Sequence, residues 1–207
     1  MTTAILSKPK AAPAQPLHPH RWTIAEYRKL DKSELFNDVK TMLLDGEIYV
    51  MPMPSPQHDT ALAKVEDFLR STFTEGFHVR SQKAFDIGTR NDPGPDLAVV
   101  PGTVDDYTEQ HPTAAILIVE VSVTSLATDT TAKAELYASA RVPEYWVLDV
   151  EGRQLHISRD PVAQPTGRGA NAYRNRQTFG EDDMASPSSA PTATVKVADL
   201  LPKVTSS

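Results

Sequence analysis

The sequence predicts a single mixed α/β (α+β) domain, and three stretches carry that expectation. Residues 115–121 are almost continuously apolar, the mark of a central strand covered on both faces. Residues 57–74 place Ala61, Leu62, Val65, Phe68, Leu69 and Phe73 at spacings of three and four, which predicts an amphipathic helix stopped by Gly76. Residues 127–140 put Ala132, Leu136 and Ala140 on one helical face, before a strand pair at 144–150 and 154–158 around Glu151-Gly152.

The remaining elements fall between these. Residues 1–20 hold Pro9, Pro13, Pro16 and Pro19 among alanines and polar residues, so they are read as a disordered leader. Thr23-Ile24-Ala25-Glu26 has capping-box spacing and opens a short helix through Tyr27 and Leu30. Residues 41–44 and 47–51 flank Asp45-Gly46 and read as a hairpin, ended by the proline-rich 52–56. Residues 77–87 are two short strands or one bent one, and Asn91-Asp92-Pro93-Gly94-Pro95 forbids regular structure before a strand at 96–100. The core is expected to be complete by about residue 160. Residues 21–160 therefore form the main body, and 161–207 a loop-rich extension of the same domain. Within that extension 172–179 suggests a strand and 195–201 a last strand and turn.

A chain of 207 residues with 40% apolar and 23% charged residues buries enough surface to fold without covalent staples. The absence of cysteine excludes disulfides, thiolate nucleophiles and cysteine-held metals, so any metal must sit on oxygen or imidazole. A net charge of −6 and a pI near 5.5 argue against coating nucleic acid by bulk electrostatics, although a local groove can still bind it. No stretch approaches the roughly 20 apolar residues needed to cross a bilayer, and no secretory pattern opens the chain, so a cytoplasmic protein is expected.

Two carboxylates stand out by position: Asp96, directly after the Pro-Gly-Pro loop, and Glu120, near the end of the apolar strand. Burying an ionised carboxylate alone costs several kcal/mol, so such groups are paired, hydrogen-bonded or ligated. Asp96 is either a loop cap bonded to backbone N–H groups or a metal ligand, and Glu120 either half of a buried salt bridge or a ligand. Converging, the two would suit a hard cation such as Mg²⁺ with a position left for a phosphate oxygen. Lys133 lies thirteen residues after Glu120, with Asp129 one turn before it. It is either a solvated helix lysine or a group that orients or deprotonates a water and stabilises charge on a phosphate. Tyr145 and Trp146 open an apolar strand and read as packing, and the scattered His18, His20, His78, His111 and His156 make no zinc pattern.

Several stretches in order resemble the Uma2-like (DUF820) branch of the PD-(D/E)xK nuclease superfamily. They are Asp45-Gly46-Glu47-Ile48-Tyr49-Val50-Met51, Pro54-Ser55-Pro56-Gln57-His58 and Pro95-Asp96-Leu97-Ala98-Val99-Val100. Val119-Glu120-Val121-Ser122 follows, then Asp129 with Lys133 and Tyr137, and Val142-Pro143-Glu144-Tyr145-Trp146-Val147-Leu148-Asp149. The resemblance implies a restriction-endonuclease-like core, a central mixed sheet flanked by helices. It implies Mg²⁺ or Mn²⁺ held by Asp96, Glu120 and the Val121 carbonyl, with Lys133 as a lysine displaced onto the helix from the position that Ser122 occupies. Glu47 and His58 complete the implied site, although an exposed hairpin residue and a surface histidine are their plain alternatives. The implied activity is endonucleolytic hydrolysis of phosphodiester bonds in DNA, with a homodimer as the assembly.

Three departures from the family pattern stand in the sequence. Met42 occupies a position where relatives often carry glutamate, the segment 122–126 lacks the proline common after the strand, and Arg141 stands where a glycine usually ends the helix. Two further readings therefore stay open: a catalytically degenerate fold that binds nucleic acid or protein, and a hydrolase of small phosphoesters.

Overall fold

The computed structural model describes residues 17–31, 33, 35–36, 39–163 and 171–204. Most of the expected leader, residues 1–16, lies outside the described residues. Helix α1 (Ile24–Asp31) starts at a reciprocal cap, in which the Thr23 N–H donates to Glu26 and the Glu26 N–H donates to the Thr23 hydroxyl. Strands β1 (Thr41–Leu44) and β2 (Glu47–Val50) form a separate two-stranded hairpin. Its turn residues Asp45 and Gly46 both have positive φ, 47° and 74°, as a twist-matched two-residue turn demands. A Cβ on Gly46 would stand 3.0 Å from that of Arg21 and 3.1 Å from the Trp22 backbone, so closeness as well as φ requires glycine there.

Six strands make the main sheet, in the order β3 (Phe77–Ser81), β4 (Leu97–Pro101), β5 (Leu117–Ser122), β6 (Glu144–Asp149), β7 (Gln154–Ala163) and β8 (Asn171–Gly180). All neighbours are antiparallel except β5 and β6, which run parallel with Glu120 opposite Val147. This is a mixed sheet flanked by helices, with β4 and β5 buried along nearly their whole length as their apolar runs predict. One face packs under helix α2 (Pro56–Thr72), whose Ala61, Val65 and Leu69 meet Leu97, Val119 and Trp146. The other face packs under a helical segment built of α3 (Leu126–Thr128), a π-helical turn (Asp129–Lys133) and α4 (Ala134–Ser139), which supplies Ala134, Tyr137 and Ala138. A third, small core joins Ile24, Tyr27 and Leu43 between α1 and the hairpin.

Four local expectations change. The helix expected over 127–140 is interrupted by the π-helical turn, and of the 77–87 stretch only Phe77–Ser81 is a strand. The C-terminal stretch is less loop-rich than its composition suggests, since β8 adds a ten-residue edge strand to the sheet. It also brings Ala185, Val197, Leu200 and Leu201 into the main core, so the core closes well past residue 160. The last element is β10 (Val195–Lys196), paired with β9 (Met184–Ala185), followed by the short helix α5 (Val197–Leu200). Among the described residues no helix is long and apolar enough to cross a membrane.

Arg141 follows the helix with φ 60°. Its N–H donates to the Ala138 carbonyl and the Val142 N–H to the Tyr137 carbonyl, at 3.0 and 3.1 Å, the paired bonds of a left-handed helix ending. Arginine thus occupies a conformation that glycine adopts without steric cost.

Candidate active site

Asp96 and Glu120 meet because β4 and β5 are adjacent and antiparallel, with Leu97 opposite Val119. Gly94, at φ 53° between two prolines, turns the loop into β4 and leaves Asp96 at the strand's first turn inward. The Asp96 N–H donates to Glu120 Oε2 at 3.4 Å, and the Val121 N–H donates to Asp96 Oδ2 at 2.9 Å. Both side chains are buried, Asp96 at 8% and Glu120 at 2% exposure.

Two helices aim their own groups at this pair. In α2, Ser55 caps the helix by accepting from the His58 N–H, which fixes the first turn and sets His58 Nε2 3.2 Å from Asp96 Oδ2. From the opposite face Lys133 Nζ reaches Glu120 Oε2 at 3.1 Å and Asp129 Oδ1 at 2.9 Å. The π-helical turn holds Asp129 and Lys133, four residues apart, both buried and facing the sheet; such turns are frequent at functional sites. Tyr137, one turn further on, donates its hydroxyl to Glu120 Oε1 at 2.7 Å. Ser125 donates to Asp129 Oδ2, and the Tyr145 hydroxyl donates to the Asp129 carbonyl at 2.9 Å.

Burial, opposed by the Lys133 ammonium, pushes Glu120 up to about 7. Asp96 moves the other way: burial raises it, but the His58 hydrogen bond and charge, with the Val121 N–H, bring it below the usual carboxylate value. The bond to Asp96 raises His58. For Lys133 burial works against the charge, and Glu120 and Asp129 outweigh it, so the ammonium is held more firmly than in water. Three carboxylates here face one ammonium and one imidazole, a surplus of negative charge in a nearly dry place.

That surplus bears on whether a metal fits. No group of three or more His, Asp or Glu side chains with metal-holding spacing occurs among the described residues. The donors converge as a pair, Asp96 and Glu120, both hard oxygen ligands. A cation that takes one or two carboxylates and keeps water fits that pair, as Mg²⁺ does; a cation that needs a full protein cage does not. Asp96 Oδ1 receives only a long 3.4 Å contact from Gln82, and it is the oxygen most open to such an ion.

The group lies at the floor of a cleft of about 950 Å³, walled by the β1–β2 hairpin and 51–55 on one side and by 123–136 on the other. Asp96, Glu120, Lys133 and His58 are thus brought together. Val121 is there through its amide, bonded to Asp96. Glu47 stands apart on the cleft rim, exposed, paired with Arg21 at 2.8 Å and accepting from the Tyr49 hydroxyl. Met42 also lines the cleft. Tyr145 and Trp146 are fully buried packing residues, as expected. Sequence reasoning gave no role to Tyr137, Gln82 and Ser125; only the helical spacing of Asp129, Lys133 and Tyr137 signalled that these three share a face.

Residues 24–198 match a family profile described as "Uma2: Putative restriction endonuclease". The fold is also that of a crystal structure from Anabaena variabilis described as "a putative nuclease belonging to DUF820". The TM-score is 0.64 at 15% identity, over 86% of this chain and 96% of that one. No curated protein matches the chain.

Proposed function

The chain belongs to the Uma2 family, and from that premise we propose that it is a divalent-cation-dependent endonuclease that hydrolyses phosphodiester bonds in DNA at Asp96 and Glu120. One observation carries the reading: two buried carboxylates on neighbouring strands open onto a large cleft, with a buried ammonium 3.1 Å from one of them. Asp96 and Glu120 would hold a divalent cation, Mg²⁺ or Mn²⁺, which would supply Lewis-acid chemistry toward the scissile phosphate.

The protein's own groups divide the remaining work. The Val121 N–H and His58 hold Asp96 Oδ2, which turns Oδ1 toward the cleft; the Val121 carbonyl completes the proposed donor set. Tyr137 holds Glu120 Oε1, while Oε2 faces Lys133 and accepts from the Asp96 N–H. With its pKa raised, Lys133 is a poor base at neutral pH. Its role is therefore that of a fixed positive charge that stabilises the phosphate as negative charge builds on it, rather than a group that deprotonates water. Glu47, held on the rim by Arg21, belongs to the cleft wall and not to the ion site.

Met42 on the cleft wall favours a second reading, a fold of this family that binds nucleic acid without cutting it. Cleavage of plasmid and single-stranded DNA with Mg²⁺, Mn²⁺ or EDTA separates the two. Wild type is expected to cut only with metal, and Asp96→Ala and Glu120→Gln to lose on the order of a hundredfold or more in rate. Folded wild-type protein that cuts under none of these conditions would leave the binding reading standing.

A further inference from the structure

Alternation along the hairpin sends Thr41 and Leu43 toward α1, where Thr41 meets the Tyr27 hydroxyl and Leu43 is fully buried. Met42 and Leu44 therefore face the cleft, with their cross-strand partners Tyr49 and Glu47. Met42 and Tyr49 stand directly opposite each other, and their thioether and ring form an apolar shelf on the wall above the carboxylates. Tyr49 remains 40% exposed, and its hydroxyl is turned to Glu47 at 2.8 Å. Across the cleft Ala132 and Leu136 present another apolar surface.

The charge of the walls decides what this shelf suits. Among the described residues the cleft is lined by six carboxylates, two lysines and one histidine. Duplex DNA brings two phosphate strands, about one charge per 1.7 Å of axis, and needs basic walls that this cleft lacks. The faces of its bases are also stacked on one another, so only their edges are open to side chains. An unpaired base has two apolar faces, and aromatic side chains bind such faces with little regard to sequence.

We infer that the cleft admits a single unpaired nucleotide strand, with one base stacked on the Tyr49–Met42 shelf while its phosphate reaches Asp96 and Glu120. The substrate is then single-stranded DNA, or a duplex locally opened at the target. This inference rests on the proposed nuclease reading, and the test keeps the two apart.

Binding of a short fluorescein-labelled single strand, and of a hairpin duplex containing that strand, is measured by anisotropy in EDTA and again in Ca²⁺, a hard cation that lets carboxylates and a phosphate share a site. No binding of the single strand in either overturns the inference. The single strand is expected to bind roughly tenfold tighter. Tyr49→Ala should weaken it by about tenfold or more, while Tyr49→Phe, which keeps the ring, binds as wild type does. A circular dichroism spectrum shows that both variants are folded. Equal or tighter binding of the duplex, or a folded Tyr49→Ala variant with wild-type affinity, overturns the inference. Metal-dependent cleavage without strand preference or Tyr49 dependence sinks the shelf and leaves the nuclease standing. Tyr49-dependent binding of single strands without cleavage under any metal supports the shelf and sinks the nuclease.

Discussion

Replacing Lys133 with methionine keeps most of the side chain's length and removes its charge, leaving Glu120 and Asp129 buried without their cation. Lys133 is 6% exposed and lies within 3.1 Å of both carboxylates, so little water can take its place. Removing one partner of a buried ion pair costs about 3–5 kcal/mol. For a chain of this size that corresponds to a fall in Tm of roughly 6–20 °C. The deficit should be largest at pH 8 and shrink at pH 5.5, because the stranded carboxylates escape by taking protons. Adding the Glu120→Gln substitution to Lys133→Met should recover part of the loss, as the pair is then removed together. Saturating Mg²⁺ should restore about 2.7 kcal/mol at a hundredfold excess over its Kd, the divalent ion standing in for the ammonium. Thermal denaturation followed by circular dichroism at the two pH values, with and without MgCl₂, measures all of this. A loss below about 1 kcal/mol, or one of equal size at both pH values, would refute the view that Lys133 neutralises a surplus of buried charge.

Two further predictions concern stability. Glu120 is pushed up to about 7 from 4.5, so between these values the folded chain holds a proton that the unfolded chain has released, and stability falls as pH rises through that window. The span corresponds to about 3 kcal/mol, and Glu120→Gln should flatten the slope in urea denaturation series run from pH 4.5 to 7.5; parallel curves for both proteins would count against it. Arg141→Gly should raise stability by up to about 1 kcal/mol by relieving the left-handed conformation, read as an increase of roughly 2–4 °C in Tm, and an unchanged or lower Tm would contradict that account.

The central sheet was legible because its inner strands carry unbroken apolar runs, and α2 because its apolar spacing is regular over five turns. Position alone singled out Asp96 and Glu120: each is a lone acid beside or within apolar sequence. Other features leave weaker traces. A π-helical turn and an α-helical turn have the same composition, so the register that faces Asp129 and Lys133 inward is set by the fit against β5. Strand β8 is legible over 172–179, but its place at the sheet edge is not: residues 174–178 are all exposed, so no alternation of apolar and polar residues shows which side meets the core. Tyr137 stands with Asp129 and Lys133 in the resembling motif and shares their helical face, but its bond to Glu120 leaves no trace in sequence, where a tyrosine on a core-facing helix looks like packing. Glu47 lines the same cleft but stands on its exposed rim, paired with Arg21, because the hairpin is a separate two-stranded sheet.

That hairpin is tied to the segment around α1 and to the loop before β4, where the Trp22 N–H donates to the Gly46 carbonyl and the Gly46 N–H to the Arg90 carbonyl. Leu43 exchanges backbone hydrogen bonds with Asp92, Arg28 bridges α1 to Asp86 and Asp92, and a small core of its own holds it to α1. None of its residues enters either core of the main sheet. The hairpin wall of the cleft and its floor of Asp96, Glu120 and Lys133 are thus stabilised by different sets of contacts. Substitutions in the wall should therefore cost the floor little, and the hairpin is a separable part of the fold that could be exchanged as a unit without disturbing the paired carboxylates.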